Sequence, residues 1–280
     1  MRAEAGIEGP DRFRSRARRP APGFGAFMKT LCREAFGDPA GRRCSDIQAV
    51  ILAGGLGTRL RSVVADKPKV LAPVNGRPFI EYLFEQLVRA GIRDAVLCTG
   101  YLGEKIREVF GDRWRDLNLA YSQEAEPLGT GGALRLAGPY ITSDTVLVLN
   151  GDSYLDGDLA EAFDWHRDKK AGATILLAEV ADTGRYGRVL TDPDGNILRF
   201  REKSAETGKG FINAGLYFIE RKLLLTIGQE RPLSLEKEIF PSWTGKGLCG
   251  KYIPGAFLDI GSAESYSIAD NFFKALNGKR

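Results

Sequence analysis

The sequence predicts an α/β protein built on a doubly wound, mostly parallel mixed sheet. Three observations carry that expectation. Apolar runs of strand length alternate with segments of helical period. The runs "IQAVILA" (47–53), "DAVLCTG" (94–100) and "TVLVLNGD" (145–152) are near-continuously hydrophobic, as strands covered on both faces are. Each ends in glycine or polar residues, where open α/β sheets place their ligands.

The remaining elements follow the same logic. "RPFIEYLFEQLVRAG" (77–91) reads as a helix with Pro78 in its first turn; Phe79, Ile80, Leu83, Phe84, Leu87 and Val88 line one face, and Gly91 ends it. "GEKIREVFG" is a short helix and "LNLAYSQE" a strand; residues 158–170 are helical and "ATILLAEV" (173–180) returns as a strand. "NILRFREK" and "FINAGLYFIE" are further strands, and "SAESYSIADNFFKAL" (262–276) is a closing helix with a serine cap. No repeat of 20–50 residues is present.

Charge divides the chain. Residues 1–45 hold nine arginines and one lysine against five acids, +5, so the other 235 residues sum to −1 of the total +4. A body without basic excess is not the footprint of a nucleic-acid binder. The head is rich in Arg, Gly, Pro and Ala without apolar period, which predicts a disordered extension or a start codon placed too far upstream. It lacks the apolar core of a secretory signal. No run approaches eighteen apolar residues, so no membrane span is expected. Four cysteines without a CxxC pair, one of them Cys98 in an apolar run, predict reduced thiols and a cytoplasmic protein.

The glycine loop "LAGGLGTRL" (52–60) is neither of the two common phosphate loops. A dinucleotide fingerprint starting at Gly55 would need glycine where Leu60 stands, and no acid closes a second strand about twenty residues on. No GxxxxGK[ST] occurs. Gly54, Gly55 and Gly57 free backbone N–H groups at a strand's carboxyl end, with Arg59 close by and Lys69 ten residues further. Backbone donors plus two cations suit a triphosphate. A tight glycine turn beside surface basic residues is the plainer alternative.

The ordered motifs "LAGGLGTRL", "KVLAPVNGRPFIEY", "EAEPLGTGGAL", "LVLNGDS", "RYGRV", "REK", "INAGLYF" and "FLDIGSAESY" resemble the sugar-phosphate nucleotidyltransferase (NDP-sugar pyrophosphorylase) family, from about Gln48 to about Phe273. The resemblance implies a Rossmann-like nucleotidyltransferase domain over 46–280. Within the family the short body is most similar to D-glycero-α-D-manno-heptose 1-phosphate guanylyltransferases. Mannose-1-phosphate guanylyltransferases and N-acetylmuramate 1-phosphate uridylyltransferases are close competitors. The implied partners are an NTP and a sugar 1-phosphate.

The resemblance also assigns roles. Arg59, Lys69 and Asp152 are the expected catalytic residues, and Asp152 with Asp259 the expected Mg²⁺ ligands. Mg²⁺ prefers one or two carboxylates completed by phosphate oxygens and water. Either aspartate could instead be a turn or cap residue. The nucleotide is expected on Leu52, Ala53, Gly54, Gly55, Gly57, Thr58, Glu124, Pro127, Gly129 and Thr130. The sugar phosphate is expected on Tyr186, Gly187, Glu202, Lys203, Asn213 and Gly215, with Glu236 a weaker candidate; "EKS" stands here for the family's commoner "EKP". Glu124 matches the position that reads the base. A carboxylate can accept from both guanine donors, N1–H and the 2-amino group, whereas uracil suits an amide better, so GTP is favoured. Gln123 or a backbone carbonyl is the alternative reader. His166, the only histidine, is expected to be a surface or packing residue. A sugar phosphate is already ionised and needs no general base. A non-catalytic regulatory subunit on the same fold would be expected to lose Arg59, Lys69, Asp152 or Asp259, and all four are present.

Overall fold

The computed structural model of the chain describes residues 43–55, 67–201, 208–228 and 232–278. Strand β1 (Gln48–Leu52) is followed by a small hairpin, β2 (Pro73–Val74) and β3 (Arg77–Pro78), and by helix α1 (Ile80–Arg89). Next come β4 (Asp94–Thr99), α2 (Gly103–Phe110), β5 (Arg113–Trp114), β6 (Leu117–Gln123) and α3 (Gly129–Leu136). The middle of the chain forms β7 (Thr145–Asn150), β8 (Ser153–Leu155), α4 (Leu159–Asp168), β9 (Ala173–Val180), β10 (Arg188–Thr191), β11 (Ile197–Arg201) and β12 (Gly210–Glu220). Then follow α5 (Arg221–Leu224), a π-helical turn (Leu235–Ile239), α6 (Phe240–Trp243), β13 (Leu248–Tyr252), β14 (Phe257–Asp259), α7 (Ala263–Ser267) and α8 (Ala269–Asn277).

Eight strands form one sheet in the order β13-β9-β12-β7-β1-β4-β6-β5. β1 pairs parallel with β4 and β7, β4 with β6, and β9 with β13; β12 and the short β5 run antiparallel. The doubly wound, mostly parallel mixed sheet is therefore as expected. The strands alternate cleanly between two cores. Ala49, Ile51, Leu97, Leu147 and Leu149 face one core with Ile80, Leu83, Phe84 and Leu87 of α1. Val50, Val96, Val146 and Val148 face the other, with Leu134 of α3 and Leu224 of α5. Both faces are dry, which is why these strands read as continuous apolar runs.

Two local expectations are corrected. Pro78 is not in the first turn of α1. It closes the β2–β3 hairpin, paired with Pro73 across the Asn75-Gly76 turn, and the helix starts at Ile80. The single closing helix is two, broken at Ile268, with Ser262 capping the first through its side chain to Ser265 N. Helix α4 starts where the sequence places it, because Asp158 caps it, accepting from Ala160 N and Glu161 N at 2.9 and 3.0 Å. His166 is a packing residue. It is buried, with Nδ1 2.7 Å from Thr174 Oγ1 and Nε2 3.3 Å from Glu220 Oε1.

Cys44, two residues before the expected start of the body at Asp46, is buried against α4. Its Sγ lies 3.9 Å from Leu159 O, and burial pushes its thiol up to about 12. Residues 1–42 lie outside the described residues. Among the described residues no helix is long and apolar enough to cross a membrane.

Candidate functional site

The sheet order places a topological switch at β1. The chain runs from β1 outward to β4 and β6, then returns to β7 on the other side. Ligands of such sheets bind where the carboxyl ends of the strands diverge. A cavity of about 340 Å³ opens there. Ten expected residues line it: Leu52, Ala53, Gly54, Gly55, Lys69, Glu124, Pro127, Gly129, Thr130 and Asp152.

Glu124 follows β6 directly, its N–H donating to Thr99 O at 2.9 Å. Its Oε2 accepts from Leu128 N at 3.0 Å. Its Oε1 occupies a notch over two glycines, because a Cβ on Gly54 or on Gly100 would lie 2.8 Å from it. Those two positions suit glycine because the carboxylate needs the space. Burial raises the Glu124 pKa above the usual carboxylate value, opposed by the Leu128 N–H. Gln123 lines a separate cavity with Arg107 and Tyr121.

"PLGTGGAL" begins α3, and its glycines admit another stretch of chain. Gly129 has φ +73°, and a Cβ there would collide with Leu233 O. That same carbonyl accepts from Gly131 N at 2.8 Å, so the first turn of α3 is occupied by backbone. Thr130 Oγ1 donates to Glu236 Oε2 at 2.9 Å and accepts from Leu235 N at 2.8 Å. The weaker sugar candidate Glu236 is thus tied to Thr130.

On the other side of β1, Lys69 Nζ lies 2.5 Å from Asp152 Oδ2, joining two expected catalytic residues in one ion pair. Asp152 is followed by β8, which pairs antiparallel with β14, Ser153 opposite Asp259. Ile260 N donates to Asp152 O at 2.9 Å, and Asp259 Oδ1 accepts from Gly261 N. The two aspartates therefore stand on adjoining strand ends. Among the described residues no three His, Cys, Asp or Glu side chains cluster as a metal cage. Two carboxylates on adjoining strand ends beside this cavity fit Mg²⁺, which takes its other ligands from phosphate and water.

Of the expected sugar residues, the described ones, Tyr186, Gly187, Asn213 and Gly215, are not among those that line that cavity. Gly215, with φ +78°, sits in an irregularity of β12, where Asn213 pairs with Leu177 but Tyr217 with Ile175. Asn213 Oδ1 accepts from Gly215 N at 2.8 Å. Tyr186 packs on Phe257, and its phenol pKa is raised by burial and then by the charge of Asp259. Gly187 has φ +80° in the adjoining turn. Gly57, Thr58, Arg59, Glu202 and Lys203 lie outside the described residues.

Sequence reasoning missed Val70, Ala133, Asn150, Gly151 and Gly261, which also line the cavity. Gly151 had a signal in its place between Asn150 and Asp152 at a strand end. A Cβ there would lie 2.7 Å from Val70 Cγ1 and 2.8 Å from Leu52 O.

The model of the family described as nucleotidyl transferase matches residues 48–275. The chain belongs to the nucleotidyl transferase family. Among its relatives is a D-glycero-alpha-D-manno-heptose 1-phosphate guanylyltransferase of Aneurinibacillus thermoaerophilus, 37% identical over 79% of this chain and 95% of that one. A mannose-1-phosphate guanylyltransferase of Mycobacterium tuberculosis is 36% identical over 79% of this chain and 62% of its own length. The solved structure of HddC from Yersinia pseudotuberculosis aligns with a TM-score of 0.73 at 33% identity, over 81% of this chain and 99% of that one. A second structure of that protein, complexed with GMP-PN, aligns over the same shares with a TM-score of 0.72 at 33% identity. This nucleotidyl transferase therefore shares the fold of HddC.

Proposed function

We propose that the chain transfers a guanylyl group from GTP to a sugar 1-phosphate, with D-glycero-α-D-manno-heptose 1-phosphate as the favoured acceptor and mannose 1-phosphate as the alternative. The observation that carries this reading is one cavity with the Glu124 carboxylate after β6 and the Lys69–Asp152 pair beside β7, on strands separated by two others. Glu124 offers two acceptors to guanine N1–H and the 2-amino group. The guanylyltransferase relatives and the GMP-PN complex of HddC support the same base.

In the reaction a sugar-phosphate oxygen attacks the α-phosphorus, the new P–O bond forms in line with the bond that breaks, and pyrophosphate leaves. Positioning and charge neutralisation supply most of the rate. Lys69 is held by Asp152 and presents a cation to the triphosphate. Arg59 is the second cation on the triphosphate, and Glu202 and Lys203 hold the acceptor's hydroxyls and phosphate. Asp152 and Asp259 would hold Mg²⁺, which when bound supplies further neutralisation of phosphate charge. Removing Mg²⁺ with EDTA should abolish turnover, and Asp152→Ala should lower kcat by about 10²-fold or more. Full turnover of pyrophosphate release in EDTA, or in the variant, would contradict the assignment.

A further inference from the structure

Behind the cavity wall lies a closed set of hydrogen bonds whose donors and acceptors can be counted. Glu236 receives three hydroxyls: Thr130 Oγ1 and Ser234 Oγ on Oε2, both at 2.9 Å, and Tyr217 Oη on Oε1 at 3.3 Å. Tyr217 is fully buried. Burial and then the charge of Glu236 hold its phenol pKa well above the ordinary value, so it keeps the proton that it donates. Its oxygen is left as an acceptor, and two amides donate to it: Asn213 Nδ2 at 3.0 Å and Asn150 Nδ2 at 3.4 Å. The Asn213 amide is fixed independently, since its Oδ1 accepts from Gly215 N.

This count fixes the orientation of Asn150. Turning its amide over would set Oδ1 against an oxygen whose single proton already points at Glu236. Gly215 makes room for the Nδ2 group, since a Cβ there would lie 3.0 Å from it. Asn150 Oδ1 is then left buried with no hydrogen-bond partner among the described residues, on a residue that lines the cavity. A buried acceptor without a donor is costly, and buried polar groups are ordinarily paired.

We propose that Asn150 Oδ1 accepts a hydrogen bond from a hydroxyl of the bound substrates, making Asn150 a specificity residue that demands that hydroxyl on the ribose or on the sugar 1-phosphate. The inference rests on the guanylyltransferase reading above. Carbon-bound hydroxyls are the donors the two substrates share, and the two sources are separable by experiment.

The test compares wild type with Asn150→Leu, which keeps size and removes both polar atoms. One arm titrates GTP, 2′-deoxy-GTP and 3′-deoxy-GTP calorimetrically. The other titrates mannose 1-phosphate and D-glycero-α-D-manno-heptose 1-phosphate against their monodeoxy analogues, and kcat/KM is measured for each pair. One hydroxyl deletion should weaken wild type by about tenfold or more and Asn150→Leu by less than about twofold. The arm that shows the contrast names the source. If Asn150→Leu does not melt cooperatively, Asn150→Ala takes its place. A variant that keeps the wild-type penalty for every hydroxyl, or a wild type indifferent to all of them, overturns the proposal. Absence of pyrophosphate release from every wild-type pair would instead sink the functional reading, while the titrations still decide the role of Asn150.

Discussion

Glu124 holds a carboxylate in a niche between Gly54 and Gly100, where burial favours its protonated form. Reading guanine requires the ionised form, so use of GTP should decline on acidification at a higher pH than for an exposed glutamate. The stability sign is opposite. A glutamate whose folded pKa is raised contributes stability that is present below its unfolded pKa and lost as pH rises through the folded one. Glu124→Gln should therefore leave Tm at pH 8 equal to or above wild type while lowering kcat/KM for GTP about ten- to a hundredfold and raising relative use of UTP. An unchanged GTP/UTP ratio would remove Glu124 as the base reader. Its position was legible through the resemblance of "EAEPLGTGGAL" to a family motif; Asn150 was not, because its role depends on Tyr217 and Gly215, distant in sequence and adjacent only across the sheet.

At the scale of elements, the strands were legible because both of their faces are dry, so the apolar runs are unbroken. The Asn75-Gly76 turn carried a hairpin signal that the helical period downstream obscured. The break at Ile268 carried none: the apolar period continues through it, while Asn75 N donates to Asp270 Oδ1 at 2.8 Å and joins the hairpin to α8. Gly129 of α3 and Gly55 of the loop after β1 differ in kind. Gly129→Ala meets a left-handed backbone and the Leu233 carbonyl, and should lower stability by roughly 1–3 kcal/mol or more. Gly55→Ala meets open space, so its Tm should hold while the added methyl intrudes on the triphosphate and lowers use of GTP. Equal melting temperatures for the two variants would contradict this account of the packing.

For the whole molecule, the edge of the body matters because Cys44, just before the expected boundary at Asp46, is part of the core. Charge and composition marked the basic head; they could not show that one cysteine at its edge packs on α4. A chain beginning at Arg43 should keep Tm and kcat/KM within error. One beginning at Asp46 should melt lower, by about 1–2 kcal/mol of lost burial, measured by thermal unfolding. A large loss on removing residues 1–42 alone would show that the head docks on the body.

The central claim is guanylyl transfer to a sugar 1-phosphate at the switch point of the sheet. Pyrophosphate release, measured for GTP, UTP, CTP and dTTP against heptose, mannose, glucose and N-acetylmuramate 1-phosphates, tests it most directly. GTP with D-glycero-α-D-manno-heptose 1-phosphate should give the highest kcat/KM, with GTP and mannose 1-phosphate next. Preference for UTP with any acceptor, or no release from any pair, would contradict it.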